Sequence, residues 1–184
     1  MQVIDLSLSG LKLITPKKFG DDRGFFCETY NASSWQKLGL NFNFVQDNHS
    51  LSRDVGTIRG LHFQTPPYAQ DKLVRVLRGR ILDIAVDLRA GSPTFKQHVA
   101  IELSQENWSQ LLIPVGFAHG FVTLEPDTEV FYKVTNFYSP QHDLGVAWND
   151  PEININWPVK RENVILSQKD DSLPFLADVK SLFS

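Results

Sequence analysis

The sequence predicts a mainly β fold, a sandwich or barrel with a few short helices. Three observations predict it. Short runs rich in β-branched and aromatic residues recur along the chain, turn signals built on Gly and Pro separate them, and helical periodicity is confined to two short stretches. The chain has 184 residues, 42% of them hydrophobic, with no low-complexity tract or internal repeat. That length buries one core without staples, so a single domain over residues 1–184 is expected.

The elements follow in order. Ser33-Ser34-Trp35-Gln36-Lys37-Leu38 is a short helical stretch that Gly39 ends. Residues 44–48 and 57–64 read as strands. Residues 73–77 and 81–88 flank Arg78-Gly79-Arg80, the pattern of a β-hairpin. In the second of these runs Leu82, Ile84, Val86 and Leu88 share one face, and Asp83 and Asp87 share the other. Residues 99–103, 110–113, 118–124 and 129–135 complete the strands. Turns at Ala90-Gly91-Ser92-Pro93, Pro114-Val115-Gly116 and Glu125-Pro126-Asp127 separate them. Many short strands at this spacing suit a sandwich or barrel. Residues 136–157 lack periodicity and are expected to be loop-rich. At the C-terminus Ser172 can cap a helix with Pro174 in its first turn, and Phe175, Leu176, Val179, Leu182 and Phe183 recur at helical spacing.

Composition excludes several classes. A net charge of −3 lacks the basic footprint of a general nucleic-acid binder. Cys27 is the only cysteine, so the chain has no internal disulfide and no cysteine zinc site. The first residues lack a basic region followed by an apolar core, and no apolar stretch approaches spanning length. A cytoplasmic protein without a membrane partner is expected.

The chemistry centres on Arg59-Gly60-Leu61-His62-Phe63-Gln64, with Lys72 shortly beyond it. A histidine in a strand between cations suits proton abstraction from carbon, with a cation stabilising the charge left behind. In a regular strand His62 shares a face with Gly60 and Gln64, while Arg59, Leu61 and Phe63 take the other. The plainer reading is a hydrogen-bonded histidine at a sheet rim. Tyr132, in Glu129-Val130-Phe131-Tyr132-Lys133-Val134, either buries its ring and wets its hydroxyl or donates a proton opposite a base. Lys72 is either solvated or turned into a barrel toward an anion, with Asp83 and Asp87 as resting partners. Ser167-Gln168-Lys169-Asp170-Asp171 is either a helix-capping loop or the source of a carboxylate that fixes the tautomer of His62. Arg23 and Arg59 are either surface charge or phosphate contacts. His98 and His142 read as surface residues, and His49 as support for the site or a sheet. There is no Walker loop, no Gly-x-Gly-x-x-Gly fingerprint and no Gly-x-Ser-x-Gly elbow.

Pro114-Val115-Gly116-Phe117-Ala118-His119 resembles the second motif of the cupin barrels, in which that histidine often binds metal. The first motif usually adds a His-x-His pair, and here the place reads His62-Phe63-Gln64. Two histidines make a poor site for zinc or iron unless carboxylates complete it.

The segments Asp22-Arg23-Gly24-Phe25-Phe26, Gln46-Asp47-Asn48-His49-Ser50, Arg59 to Gln64, Lys72-Leu73-Val74-Arg75-Val76 and Asp83 to Arg89 run through the chain in order. Ser92-Pro93-Thr94-Phe95, Pro114 to Phe121, Tyr132-Lys133, Trp148-Asn149-Asp150-Pro151 and Leu166 to Asp170 follow. Together they resemble the dTDP-4-dehydrorhamnose 3,5-epimerase family, dTDP-sugar epimerases of the cupin superfamily. The resemblance implies a double-stranded β-helix (jelly-roll) barrel, a homodimer, and no metal or organic cofactor. It implies epimerisation of dTDP-4-dehydro-6-deoxy-D-glucose at C3 and C5, a step of deoxysugar biosynthesis. On this sequence it implies His62 as base, Asp170 as its dyad partner, Tyr132 as acid and Lys72 facing the C4 oxygen. Nucleotide and sugar contacts fall on Arg23, Glu28, Gln46, Asp47, Asn48, Arg59, His119 and Lys169, with Phe26 and Tyr138 as aromatic neighbours of the base. The segment bearing Arg23 and Glu28 is implied to lie near the partner subunit. A family glutamate after Tyr138 is replaced by the shorter Asp143, carried here as a ligand contact. The rival readings are inversion at C3 or C5 alone, a metal-dependent cupin, and a sugar-nucleotide-binding module without catalysis.

Overall fold

The computed structural model describes residues 1–179 and 183. Two antiparallel sheets face each other as a jelly roll. In chain order the strands are β1 (Gln2–Asp5), β2 (Lys12–Thr15), β3 (Lys18–Asp21), β4 (Gly24–Cys27), β5 (Gln46–Ser52), β6 (Ile58–Gln64), β7 (Lys72–Arg78), β8 (Arg80–Asp87), β9 (His98–Ser104), β10 (Gln110–Ile113), β11 (Phe117–Thr123), β12 (Thr128–Val134) and β13 (Asp143–Gly145). One sheet runs β1-β2-β10-β7-β12-β5, the other runs β13-β6-β11-β8-β9, and β3-β4 form a separate hairpin. The expected strands from 44 to 135 all form, each within a few residues of its predicted bounds. The four N-terminal strands and β13 were not predicted.

Alternation along β8 sets the layers. Ile81 and Ala85 point into the barrel with Val74, Val76, Leu111, Phe121 and Val130. Ile84, Val86 and Leu88 point outward, where Leu61, Phe63, Val146, Ile153, Leu176 and Phe183 cover them. Asp83 and Asp87 share the other face, as predicted; it is the inward one, and both are fully buried.

On the far side Ile14, Leu73 and Leu112 are covered by Trp35 and Leu40. Trp35 comes from α1 (Ala32–Gln36), which Asn31 caps by accepting the Ser34 amide at 3.0 Å. The helix expected at 33–38 is therefore present but shorter. The C-terminal helix does not form over the described residues. Ser172 instead ends α2 (Gln168–Asp171), and only Leu176–Asp178 makes a single 3-10 turn. Leu176 and Phe183 are still buried, because a chain lying across an apolar sheet face buries side chains without helical backbone. Leu182 of that predicted pattern lies outside the described residues.

Candidate active site

The site forms where β6 departs from regular pairing. His119 of β11 pairs with His62, but Phe121, two residues on, pairs with Arg59, three residues away. The extra residue in β6 is a bulge, and it turns Arg59 and His62 to the same side. This corrects the alternation drawn from sequence, which set them on opposite faces. Gly60 permits it: its φ is +120°, and a Cβ there would lie 2.6 Å from the Gly120 Cα.

His62 Nε2 lies 2.6 Å from Asp170 Oδ1. An ionised carboxylate only accepts, so Nε2 carries the proton and Nδ1 keeps the lone pair. Asp170 sits in α2, which Ser167 caps. The Ser167 hydroxyl donates to Asp170 Oδ2 at 2.8 Å and accepts the Asp170 amide at 3.1 Å. Both readings of that polar cluster hold together: it caps a helix, and the cap aims the carboxylate. Burial opposes the charge on Asp170, but bonds from His62, Ser167 and the Gly60 backbone hold its carboxyl below the usual range.

A cavity in the barrel mouth has two lobes, of about 280 and 240 Å³, that share His62, Lys72, Tyr132 and Lys169. His62 comes from one sheet, and Lys72 and Tyr132 come from the facing one. Burial pushes the Lys72 ammonium down to about 8, against the pull of Asp143 and Asp83. Its Nζ lies 3.4 Å from the carbonyl of His62. Asp87 is not its partner, because it binds Arg89, Ser92 and Thr94 instead. Burial, and after it the charge of Asp143, push the Tyr132 phenol above its ordinary value.

The first lobe adds Ser50, Arg59, His119 and Phe121. Arg59 is held by Ser52 Oγ at 3.1 Å and the Leu51 carbonyl at 3.0 Å. His119 Nε2 is 2.7 Å from Asp83 Oδ1. Among the described residues no three His, Cys, Asp or Glu side chains gather as a metal-ligand set.

The second lobe adds Gln46, Asn48, Tyr138 and Asp143. Asp143, on β13, accepts from the Tyr138 hydroxyl at 3.0 Å and from Lys169 Nζ at 2.5 Å. Gln64 and Gln70 also line it, and sequence reasoning passed over both. Gln64 is buried and ties the Tyr68 and Phe137 carbonyls to the barrel at 2.6 and 3.0 Å. Its place one strand step beyond His62 was the available signal.

Four expected contact residues do not line this cavity. Strand alternation turns Asp47 outward to Lys133 Nζ at 2.7 Å. Arg23 is on the β3–β4 turn paired with Asp21, Phe26 on β4 is 68% exposed, and Glu28 accepts from Asn31 at 3.0 Å. Phe26 is therefore no neighbour of His62 within one chain. Of the remaining histidines, His49 pairs with Glu129 across two strands at 2.9 Å, so it supports a sheet. His98 is half-buried, and His142 bonds Ser139 at 2.8 Å.

A jelly roll whose mouth gathers a His–Asp pair, a lysine and a tyrosine from facing sheets is a barrel enzyme of the acid–base class. The family model for dTDP-4-dehydrorhamnose 3,5-epimerase matches residues 5–178. The Sinorhizobium fredii protein described by that name is 53% identical over 97% of this chain and 91% of its own. A Bacillus anthracis dTDP-4-dehydrorhamnose 3,5-epimerase, solved with TDP and PPi bound, superposes with a TM-score of 0.92 at 55% identity, covering 95% of this chain and 99% of that one. A Legionella pneumophila dTDP-6-deoxy-D-glucose-3,5-epimerase, solved in complex with dTDP-4-keto-L-rhamnose, gives 0.92 at 44% identity, covering 97% of this chain and 94% of that one. This chain belongs to the dTDP-4-dehydrorhamnose 3,5-epimerase family.

Proposed function

We propose that this chain epimerises dTDP-4-dehydro-6-deoxy-D-glucose at C3 and C5 to dTDP-4-dehydro-L-rhamnose, with His62 removing both protons. The observation that carries the assignment of the base is the 2.6 Å bond between His62 Nε2 and Asp170, made at the wall of the cavity that Lys72 and Tyr132 share.

Both hydrogens lie alpha to the C4 ketone. His62 Nδ1 takes the proton, and the C–H electron pair moves into an enolate whose charge collects on the C4 oxygen. Asp170 stabilises the imidazolium that forms. Lys72 stabilises the enolate, an interaction stronger in the transition state than in the ground state. Tyr132 then protonates carbon from the facing sheet. Its raised value keeps the phenol loaded with its proton at neutral pH. The tyrosinate regains a proton from solvent and the imidazolium loses one, so protons balance and no electron is exchanged with a cofactor. Arg59 and Lys169 offer positive charge to the diphosphate, and Tyr138 offers a ring to the thymine. Such remote contacts orient the sugar.

The exposed β3–β4 hairpin supports a homodimer in which Arg23, Phe26 and Glu28 reach the partner's cavity. Phe19, Phe25 and Phe26 are 52%, 55% and 68% exposed there, an apolar patch that a second copy would cover. No helix among the described residues is long and apolar enough to cross a membrane. The same proposal puts the enzyme in the cytoplasm, where a lone Cys27 suits a reducing compartment, and fractionation of cells producing the tagged chain tests that placement. The catalytic assignment is tested by incubating substrate in deuterated water and following C3 and C5 by NMR. Wild type should exchange and invert both positions. Normal exchange by His62→Ala at either one would end the claim that His62 is the only base.

A further inference from the structure

Directly across the β6–β11 ladder from His62 stands a second histidine–carboxylate pair. His119 is the register partner of His62, and its Nε2 lies 2.7 Å from Asp83 Oδ1. Asp83 is fully buried on the inward face of β8. Its Oδ2 has no hydrogen-bond partner among the described residues. A buried carboxylate with one bare oxygen is costly, so a position that keeps one calls for a use of the charge.

We propose that Asp83 is a positioning residue of this site: it holds His119 through Nε2–H, leaving Nδ1 for the bound sugar nucleotide, and it sets a buried carboxylate on the inward face behind the residues that line the cavity. This deepens the epimerase reading and rests on it. The carboxylate can only accept, so the bond fixes His119 as the Nε2–H tautomer. Asp143 on β13 pulls on Lys72 most, and Asp83, buried on the inward face of β8, adds to that pull. Lys169 of α2 opposes them. The other titratable or charged groups lining this lobe are Arg59, His62, His119, Tyr132 and Asp170, and Asp170, the one buried carboxylate among them, is already bound by His62 and Ser167. The loss of Asp83 would therefore leave Lys72 easier to deprotonate and His119 free to rotate or change tautomer.

Asp83→Asn keeps the size and an oxygen acceptor but removes the charge. With wild type exchanging C3 and C5 as the control, the variant should lose about tenfold or more in kcat while KM moves by less than about threefold. The alkaline limb of its kcat/KM profile should move to lower pH, which a merely structural role would not do. A folded Asp83→Asn with wild-type kcat and an unmoved alkaline limb would overturn the proposal and leave the epimerase reading intact. A wild type that exchanges neither position would instead sink that reading. If Asp83→Asn does not fold, NMR of wild-type protein labelled with 15N-histidine decides. The Nε2–H tautomer at His119 is the expected result, and the Nδ1–H tautomer overturns the proposal.

Discussion

His62 and Asp170 are 108 residues apart in sequence and 2.6 Å apart in space. An imidazole held this way has one tautomer and one free nitrogen, which is the geometry a base needs before any substrate arrives. Asp170→Asn keeps the size and loses the charge that stabilises an imidazolium, so kcat should fall by about a hundredfold or more, read in the exchange assay. Lys72 makes a sharper prediction, because only the protonated amine suits an enolate. With its value near 8, kcat/KM should fall as pH rises through that point. In Lys72→Arg, whose guanidinium stays charged, the fall should move to higher pH, measured from the same profile. At this scale residue type made His62, Tyr132, Lys72 and Asp170 candidates beside plainer readings, only the family resemblance suggested their roles, and the structure brings all four to one cavity. The sequence could not show that Arg59 faces the same cavity, because a bulge breaks the period on which face assignments rest.

Elements carry the site through a few backbone devices. The β6 bulge depends on two glycines packed back to back, Gly60 and Gly120. Gly60→Ala would push a Cβ to 2.6 Å from the Gly120 Cα at a φ of +120°. We expect it to be poorly folded or to melt well below wild type, as circular dichroism would show. Ser167→Ala removes the α2 cap and the hydroxyl on Asp170. It should cost about 1 kcal/mol of stability by denaturant titration, together with a drop in kcat that an ordinary cap would not cause. At the end of β8, burial alone would raise the Asp87 carboxyl, but Arg89, Ser92 and Thr94 hold it well below the usual range. A depressed native value means the unfolded chain binds more protons. The stability Asp87 contributes is therefore present above the ordinary carboxylate range and lost as pH falls toward the native value. Asp87→Asn should flatten the acid side of the stability-against-pH curve. Strands β5 to β12 were legible because alternation and turns coincide there. Strands β1 to β4 are only four residues each, with a single buried residue among them, and β13 is three residues long, so none carries enough alternation to stand out. Over the described residues the predicted C-terminal helix failed for the opposite reason: its apolar spacing is real, but there it serves a segment laid across an existing sheet face.

The whole molecule is two sheets closing on a cavity, with one hairpin left outside the barrel. One cooperative unfolding transition is expected, as for a single domain. Arg23, Phe26 and Glu28 sit on or beside that hairpin, so a dimer that exchanges hairpins would build each site from two chains. A mixture of His62→Ala and Arg23→Ala chains, dissociated and reassociated, should then recover activity that His62→Ala alone lacks and exceed Arg23→Ala alone. No gain on mixing would remove the shared-site assembly. The central claim is that His62 is the single base for both inversions. Solvent deuterium incorporation at C3 and C5, followed by NMR for wild type and His62→Ala side by side, tests it most directly. Wild type should label both positions, and the variant should label neither above background. Labelling of either carbon by folded His62→Ala at the wild-type rate would contradict it.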